Sequence, residues 1–266
     1  MNMLEGKTAV VIGASAQGGI GWETAKLFAE EGARVIVSAR QLDKLQPLAN
    51  EIGGHAIACD VVDRTSIQNL IDETLATYGE IHVGVYSAGQ AWSKMIDEIN
   101  PEDISDAMAL HYEGALAFLQ CAARAMKSGG ALTYMSSILS ENYYPGMMAY
   151  AAAKAALEQL IRYGAIEYAA LGIRVNGIRP TSTRTPMVEE ALSIPGLLET
   201  AVKEIPMGRI AEPREIAEAA LWLSSERASF VTGVNLPVDG GNHLMRMPHI
   251  SDMPTPEELD AAYKND

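Results

Sequence analysis

The fold is decided by residues 8–21, which read TAVVIGASAQGGIG. The apolar run Thr8–Ile12 predicts a buried strand, and the amphipathic pattern that starts at Gly21 predicts a helix. Glycines between a strand and a helix allow a tight turn, and they let a pyrophosphate approach the free N–H groups at the helix N-terminus. Glycines also occur in such turns for conformational reasons alone. Their place after the first strand and before the first helix favours a dinucleotide-binding turn.

Outward from this stretch, short runs rich in Val, Ile and Ala alternate with longer amphipathic segments. The alternation predicts an α/β fold with a doubly wound, seven-stranded parallel sheet in a single domain. The predicted strands are Thr8–Ile12, Arg34–Ser38, His55–Cys59, Ile81–Tyr86, Ala131–Ser136, Ile173–Ile178 and Val234–Val238. The predicted helices include Gly21–Glu31, Thr65–Tyr78, Asp103–Met126, Ala149–Leu171 and Pro213–Ser224. We assign residues 1–241 to the domain and residues 242–266 to a C-terminal tail, which either lies at a subunit interface or is a frayed end.

The bulk composition narrows the class of partner. The chain has 266 residues and a formal net charge of −14. Binding to nucleic acid or to an anionic membrane needs a basic face, so neither is expected, and a small-molecule substrate is expected instead. The two cysteines, Cys59 and Cys121, predict no disulfide framework and favour a cytoplasmic location. The sequence predicts no signal peptide, no membrane span and no metal site.

The end of the second predicted strand indicates which nucleotide binds. A carboxylate at that place hydrogen-bonds a free ribose 2′-OH and repels a 2′-phosphate. Here Ala39 is followed by Arg40, and a guanidinium suits a phosphate dianion. The plainer alternative for Arg40 is a solvated loop arginine. We therefore expect NADP(H) to be preferred, with NAD(H) as the alternative.

A tyrosine and a lysine near the start of a long predicted helix are candidates for proton transfer. Tyr150 and Lys154 are four residues apart, which places both side chains on one helix face. A lysine ammonium beside a phenol favours phenolate and lowers the tyrosine pKa toward neutrality, as a general acid/base requires. Ser137, thirteen residues upstream of Tyr150, offers a hydroxyl to a substrate oxygen. The alternatives are a surface pair and a serine that satisfies turn backbone groups.

The sequence from about Lys7 to Gly241 resembles the short-chain dehydrogenase/reductase family. The family's motifs occur in order along the chain. They are the glycine turn, Asp60-Val61, Ala88-Gly89, Ser137, Tyr150 with Lys154, Arg174 to Pro180, Thr185 to Met187, and Thr232 to Gly241. The resemblance implies a Rossmann-like fold, an oxidoreductase that transfers hydride between a nicotinamide and a carbonyl or alcohol carbon, and a homotetramer or dimer.

The resemblance also implies a role for each matching residue. Tyr150 would be the acid/base, Lys154 would bind the nicotinamide ribose and lower the tyrosine pKa, and Ser137 would polarise the carbonyl. Asp60 and Val61 would flank the adenine. The remaining cofactor-binding residues would be Gly13, Ser15, Gly19, Ile20 and Gly21 in the turn, Arg40, Ser87, Ala88 and Gly89, and then Pro180, Thr183 and Thr185 around the nicotinamide.

The chain departs from the family's pattern at three places. The glycine turn is two residues longer than the commonest form, and Ser87 stands where an asparagine is usual. His111 occupies the position of an asparagine whose backbone holds a water in a proton relay toward the lysine. Either His111 fills the space while its carbonyl holds the water, or its imidazole, with an ordinary pKa near neutrality, joins the relay as a catalytic group.

The substrate site is predicted near the catalytic candidates, at Gln90 and at four apolar or aromatic residues. The four are Trp92, Tyr143, Tyr144 and Met187, with core or interface packing as the alternative for each. The proline-containing segment Thr185–Met207 is expected to act as a lid. The alternatives to an NADP(H)-dependent carbonyl reductase are an NAD-dependent alcohol dehydrogenase of the same family and a catalytically weak dinucleotide-binding scaffold. A relative that reduces fatty-acyl C=C bonds is disfavoured, because in those the lysine lies further from the tyrosine.

Overall fold

A computed structural model of the chain describes residues 2–186, 188–189 and 196–245. Seven parallel strands form one sheet in the order β3-β2-β1-β4-β5-β6-β7. The strands are β1 Thr8–Ile12, β2 Arg34–Ala39, β3 His55–Ala58, β4 Val83–Tyr86, β5 Gly130–Met135, β6 Ile173–Pro180 and β7 Asn235–Val238. The predicted doubly wound sheet in a single Rossmann-like α/β domain is confirmed.

The order of the strands reverses between β1 and β4, which lie side by side at the centre of the sheet. Every residue of both strands is buried, as expected for strands covered on two faces. The register pairs Ile12 with Tyr86, so the residues that follow, Gly13 and Ser87, leave the sheet next to each other. Ligands of such sheets bind outside the carboxyl ends of the strands at this reversal.

Helices cover both faces of the sheet. They are α1 Ile20–Glu30, α2 Leu42–Ile52, α3 Arg64–Tyr78, α4 Pro101–Met108, α5 Gly114–Ala125, α6 Met148–Tyr168, α7 Leu197–Lys203 and α8 Pro213–Ser224. One apolar core lies between the sheet and α1, α2 and α8. The other lies between the sheet and α3, α5 and α6. In the described part of the chain, no helix combines the length and apolarity that a membrane span requires.

Helix α2 was not among the predicted helices. Its apolar residues Leu45, Leu48 and Ala49 are buried at helical spacing. Pro47 inside the helix removes one backbone donor, and Gln41 at the N-cap makes no capping hydrogen bond. These weak start signals and the internal proline hid the helix, although its N-terminus lies beside the predicted nucleotide site.

The single helix predicted over Asp103–Met126 is wrong in one respect, because α4 and α5 are joined by one turn of π-helix, Ala109–Glu113. Gly114 follows this turn, and a Cβ there would lie 2.6 Å from both the Tyr86 hydroxyl and the Val61 carbonyl oxygen. The Tyr86 hydroxyl donates to the Leu110 carbonyl at 2.7 Å. The π turn thus provides the Leu110 carbonyl that accepts from Tyr86, and it places the next residue, His111, toward the end of β4. Turns of this kind are frequent at functional sites.

The segment between β6 and α8 is tied at both ends. Thr183 pairs with Ala211 in a short parallel bridge, and the Arg184 N–H donates to the Ala211 carbonyl at 2.8 Å. The chain just before the segment predicted as a lid, Thr185–Met207, is therefore hydrogen-bonded to the chain just after it. Part of it, including Met187, lies outside the described residues.

The predicted boundary between a domain of residues 1–241 and a tail stays a prediction. The structure describes the tail only as far as Met245. Asn242 is buried, and its side chain accepts from Thr181 at 2.6 Å and donates to the Glu204 carbonyl at 2.7 Å. The packing of the domain thus includes at least the first residue assigned to the tail.

Candidate active site

A cleft of about 520 Å³ opens above the reversal between β1 and β4. Gly13, with φ +88°, turns the chain away from β1. A Cβ on Gly13 would lie 2.5 Å from the Ala88 nitrogen and 2.5 Å from the Ser87 carbonyl carbon. Only glycine therefore lets the turn after β1 pack against the chain after β4. The cleft volume of about 520 Å³ is within the range of cofactor sites.

The N-terminus of α1 faces the cleft. Gly19 is the N-cap, and no side chain in the described residues caps this helix. The first intrahelical bond runs from the Glu23 N–H to the Gly19 carbonyl at 3.0 Å, and Gly19, Ile20 and Gly21 all line the cleft. Uncapped N–H groups and the positive end of the helix dipole suit an anionic group such as a pyrophosphate.

The other end of the cleft is formed by the residues after β2 and β3. Arg40 and Gln41 lie at its edge together with Asp60 and Val61. Arg40 is exposed, and it makes no hydrogen bond or ion pair with any other described residue. One Asp60 oxygen accepts from the Val62 N–H at 3.2 Å, which shapes the turn after β3. A free guanidinium therefore stands where the sequence predicts a 2′-phosphate.

Most of the residues predicted to bind the cofactor do line the cleft. They are Gly13, Ser15, Gly19, Ile20, Gly21, Arg40, Asp60, Val61, Ser87, Ala88, Gly89 and Thr185. Four predicted cofactor-binding residues, Tyr150, Lys154, Pro180 and Thr183, are not among the described lining residues, although a Cβ at the lining residue Gly89 would be 4.0 Å from the Lys154 nitrogen. Pro180 ends β6, and the buried Thr183 donates its hydroxyl to the Thr181 carbonyl at 2.9 Å.

The lining residues that were not predicted include Gln41, Cys59, Asp106 and Leu110. The first two adjoin the predicted residues Arg40 and Asp60, so adjacency to a motif was an available signal. Asp106 and Leu110 are spaced like residues on one helix face, but no sequence motif places that face at the cleft. No cluster of three or more His, Cys, Asp or Glu side chains suited to a metal occurs among the described residues.

Ser137, Tyr150 and Lys154 come together from β5 and α6. Ser137 follows β5 and caps a short 3₁₀ turn, its hydroxyl accepting from the Leu139 N–H at 3.2 Å. Tyr150 and Lys154 lie in the first two turns of α6. The Lys154 ammonium nitrogen lies 5.5 Å from the centre of the Tyr150 ring and donates to the Met135 carbonyl at 2.7 Å. Lys154 is only 3% exposed.

Burial dominates the proton affinities of this group. It raises the pKa of Tyr150, and a hydrogen bond with Ser137 lowers that pKa in part. Burial also lowers the pKa of Lys154 to about 7, against the attraction of Glu158. The prediction that Lys154 brings the tyrosine pKa below its ordinary value is therefore wrong for the protein by itself, because a lysine so poorly solvated is only partly charged at neutral pH.

His111 lies against both Tyr150 and the end of β4. Its ring is fully buried and meets the Tyr150 ring edge-on, with centres 5.1 Å apart. Its Nε2 lies 2.8 Å from the Gln90 carbonyl oxygen. Because a carbonyl only accepts, the proton is on Nε2 and Nδ1 is an acceptor, which has no partner among the described residues. Burial, and then Lys154, lower the pKa of His111 to about 3, so the imidazole does not titrate near neutrality as the relay hypothesis assumed.

The residues predicted to bind substrate are only partly brought together. Gln90 and Trp92 line the cleft. Trp92 also lines an adjoining cavity of about 190 Å³, together with Gly146 and Ala149, which precede Tyr150 in the sequence. Tyr143 is 90% exposed, and neither it nor Tyr144 is among the described residues that line either space. Met187 lies outside the described residues.

A glycine-lined cleft at the reversal of a doubly wound sheet is the arrangement of dinucleotide-binding α/β enzymes. A phenol, a lysine and a serine beside such a cleft are suited to protonating or deprotonating an oxygen next to a carbon that exchanges hydride. Fold and site together define the class of a nicotinamide-dependent oxidoreductase.

Comparison with known proteins gives the family. A family model described as Enoyl-(Acyl carrier protein) reductase matches residues 13–243. The chain belongs to the short-chain dehydrogenase/reductase family, and it is an oxidoreductase acting on CH–OH or C=O groups.

Two relatives and one solved structure show the extent of the similarity. The chain is 34% identical over 245 residues to a 3-oxoacyl-[acyl-carrier-protein] reductase of Thermotoga maritima, covering 90% of this chain and 98% of that protein. It is also 34% identical to a D-threitol dehydrogenase of Mycolicibacterium smegmatis, covering 90% and 93%. The structure of a short chain dehydrogenase from Mycobacterium smegmatis superposes with a TM-score of 0.77 at 27% identity, covering 90% of this chain and 93% of that one.

Proposed function

We propose that this protein interconverts a ketone or aldehyde with the corresponding alcohol and that it uses NADP(H) in preference to NAD(H). The observation that carries the proposal is the grouping of Ser137, Tyr150 and Lys154 near the dinucleotide-sized cleft. A side-chain interaction with Ser137 lowers the pKa of Tyr150 in part, and the Lys154 nitrogen lies 5.5 Å from the centre of the Tyr150 ring. The Tyr150–Lys154 spacing of four residues argues against reduction of a C=C bond.

The cleft suits a dinucleotide phosphate. The turn from Gly13 to Gly21 and the α1 N-terminus would hold the pyrophosphate, and Asp60 with Val61 would flank the adenine. Ser87, Ala88 and Gly89 would contact the adenosine ribose region, while Pro180, Thr183 and Thr185 would hold the carboxamide of the nicotinamide. When bound, NADPH supplies the hydride for the carbonyl carbon.

The proton and the hydrogen bonds to the substrate oxygen come from this chain. In the reductive direction the Ser137 hydroxyl donates a hydrogen bond to the carbonyl oxygen, and the Tyr150 hydroxyl transfers its proton to the same oxygen. Because burial raises the pKa of Tyr150, the phenol holds that proton at neutral pH. In the oxidative direction a Tyr150 phenolate accepts the alcohol proton.

His111 is proposed as a positioning residue and not as a proton carrier. Its Nε2–H holds the Gln90 carbonyl, which fixes the chain where β4 leaves the sheet. The Gly89 backbone lies over the ring, because a Cβ at that glycine would be 3.2 Å from the His111 Cε1 atom. With a pKa of about 3, the neutral ring keeps Nδ1 as an acceptor near Lys154 throughout the physiological pH range.

The preference for NADP(H) is supported by Arg40. The side chain is exposed at the rim of the cleft, without an ion-pair partner in the described residues, and no carboxylate follows β2 directly. A charge-assisted hydrogen bond to an exposed phosphate contributes about 1.5 kcal/mol, or about tenfold in affinity. NAD(H) lacks the 2′-phosphate and would not gain this term.

Titration of the purified protein with NADPH and with NADH, followed by nicotinamide fluorescence, tests the cofactor assignment. We expect Arg40→Ala to weaken NADPH binding about tenfold and to leave NADH binding within twofold. Lys44→Ala is the matched control, because Lys44 is an exposed cation on α2 that does not line the cleft. Equal affinities of the unmodified protein for the two nucleotides would favour an NAD-dependent enzyme instead.

A panel of carbonyl compounds and alcohols tests the activity. The panel includes a 3-oxoacyl thioester and D-threitol, which the names of two relatives suggest, together with cyclohexanone and cyclohexanol. We expect turnover of at least one member of the panel, measured by the absorbance of the reduced nicotinamide. Tight NADPH binding with no turnover of any member would favour a dinucleotide-binding scaffold over an enzyme.

We further propose that the protein is a homotetramer or a dimer and that it works in the cytoplasm. The support for assembly is the family resemblance and the exposed apolar residues Tyr163 and Ile166 on the outer side of α6. The support for a reducing compartment is that Cys59 and Cys121 are both free thiols. Light scattering of the purified protein measures the assembly directly.

A further inference from the structure

A buried ionic cluster lies one helical turn beyond Lys154. Glu158 of α6 is 2% exposed, and Arg179 of β6 is 8% exposed. The guanidinium donates Nε to one Glu158 oxygen at 2.7 Å and Nη2 to the other oxygen. The opposite edge of Arg179 holds the carboxylate of Glu141, at 2.6 and 2.8 Å. Neither Glu158 nor Arg179 belongs to the residues assigned to the reaction above.

The Glu158 carboxylate also binds the chain on both sides of Ser137. The Ser136 hydroxyl donates to its Oε1 at 2.8 Å, and the Ser140 hydroxyl lies 2.6 Å from the same oxygen. The Ser140 hydroxyl is also 2.8 Å from the Ser137 carbonyl oxygen. One buried carboxylate on the Tyr150 helix therefore fixes the residue before Ser137 and the residue that ends its 3₁₀ turn.

We propose that Glu158, held in place by Arg179, is a positioning residue that fixes the Ser137 hydroxyl relative to Tyr150. The inference rests on the proposed function of Ser137 as donor to the substrate oxygen. Ser137 comes from β5, whereas Tyr150 comes from α6, so their separation depends on a link between these two elements. Glu158 supplies that link because it lies on α6, binds the turn after β5 and is clamped from β6.

The ionic character of the cluster is not explained by stability. Two charges that are removed from water lose solvation, and apolar residues of similar volume at such places often give equal or greater stability. An apolar pair, however, cannot accept the hydroxyl hydrogen of Ser136, and it leaves the Ser140 hydroxyl with only the Ser137 carbonyl as an acceptor. For a double variant that still folds and binds NADPH, a purely structural role therefore predicts an unchanged kcat, whereas the positioning role predicts a lower one.

The experiment compares Glu158→Leu/Arg179→Met with the unmodified protein, using NADPH and the carbonyl compound of the panel that is reduced fastest. The positioning role predicts that kcat falls about tenfold to a hundredfold, because moving a catalytic group by about 1 Å lowers the rate by up to about a hundredfold. It also predicts that the dissociation constant for NADPH stays within twofold. A double variant with a kcat within twofold of the unmodified protein would overturn the proposal.

Three further variants make the result specific. Glu158→Gln keeps the shape and one acceptor oxygen, so it is expected to retain more kcat than the double variant, and it carries the same comparison if the double variant does not fold. Arg162→Gln is the control, because the half-buried Arg162 pairs with the Glu158 carboxylate at 3.6 Å but makes no contact with the Ser137 turn, and its kcat is expected to stay within twofold. A large loss of kcat in this control would contradict the assignment to the Ser137 turn.

Ser137→Ala separates this inference from the proposed function. If Ser137→Ala retains full turnover, the assigned role of Ser137 fails and the positioning role fails with it. If Ser137→Ala is inactive while Glu158→Leu/Arg179→Met is fully active, only the positioning role fails.

Discussion

Substitution of Gly13 by alanine tests the architecture of the cleft most sharply. An added methyl group would lie 2.5 Å from the Ala88 nitrogen and 2.5 Å from the Ser87 carbonyl carbon, and both atoms are backbone. The residue also has φ +88°, a region that alanine adopts at a cost. Gly18 in the same turn has φ +72°, but a methyl group added there would meet no described atom within 4 Å, so Gly18→Ala is the matched control.

The expected effect follows from two contributions. The left-handed backbone conformation costs alanine about 1–2 kcal/mol, and this cost applies to both variants. The overlap with the chain after β4 applies only to Gly13→Ala and adds about 1–3 kcal/mol, as for other overpacked sites. Since about 1 kcal/mol lowers the melting temperature of a domain of this size by about 2–4 °C, Gly13→Ala should melt about 2–12 °C below Gly18→Ala.

Calorimetry and NADPH fluorescence titration measure both consequences. Because the methyl group displaces the Ser87–Ala88 peptide that lines the cleft, we expect NADPH binding to weaken about tenfold or more in Gly13→Ala and to stay within about twofold in Gly18→Ala. Equal melting temperatures for the two variants, or unchanged NADPH binding in Gly13→Ala, would refute the close approach of β1 and β4 as the basis of the cleft.

Two further predictions concern proton transfer. Burial raises the pKa of Tyr150 above its ordinary value, so kcat/KM for alcohol oxidation should rise about tenfold per pH unit from about pH 7 to 9. Over the same range kcat/KM for carbonyl reduction should stay nearly flat. A plateau of the oxidation profile below about pH 8 would show that a charged Lys154 lowers the Tyr150 pKa by more than burial raises it. Because the pKa of His111 is about 3, His111→Asn should leave the shape of both profiles unchanged between about pH 5 and 9 while lowering kcat through the lost bond to Gln90, and a shifted profile would restore the histidine as a proton carrier.

Much of the fold was accessible from the sequence because buried parallel strands are continuous apolar runs. The run Thr8–Ile12 was predicted with its observed bounds, and the other strands were located to within two residues at each end. Helix α2 was missed because Pro47 and an uncapped N-terminus weaken its local signals. The π turn at Ala109–Glu113 was missed because it depends on Tyr86 and Val61, which come from other parts of the chain.

The site was accessible in its motifs but not in its electrostatics. Spacing alone brought Tyr150 and Lys154 together, but the lowered pKa of Lys154 depends on how completely the fold excludes water from it. Glu158 was available in principle, since Tyr150, Lys154 and Glu158 recur every fourth residue on one helix face. Its partner Arg179 comes from β6, and no local pattern connects the two residues.

The central claim is that the Tyr150 hydroxyl exchanges the proton of the substrate oxygen beside a bound dinucleotide. Tyr150→Phe removes that single oxygen and keeps the ring against His111. We expect kcat to fall by about a hundredfold to ten-thousandfold, while the melting temperature and the NADPH dissociation constant change little. Turnover by Tyr150→Phe within about tenfold of the unmodified protein, with the fold and NADPH binding intact, would contradict the account.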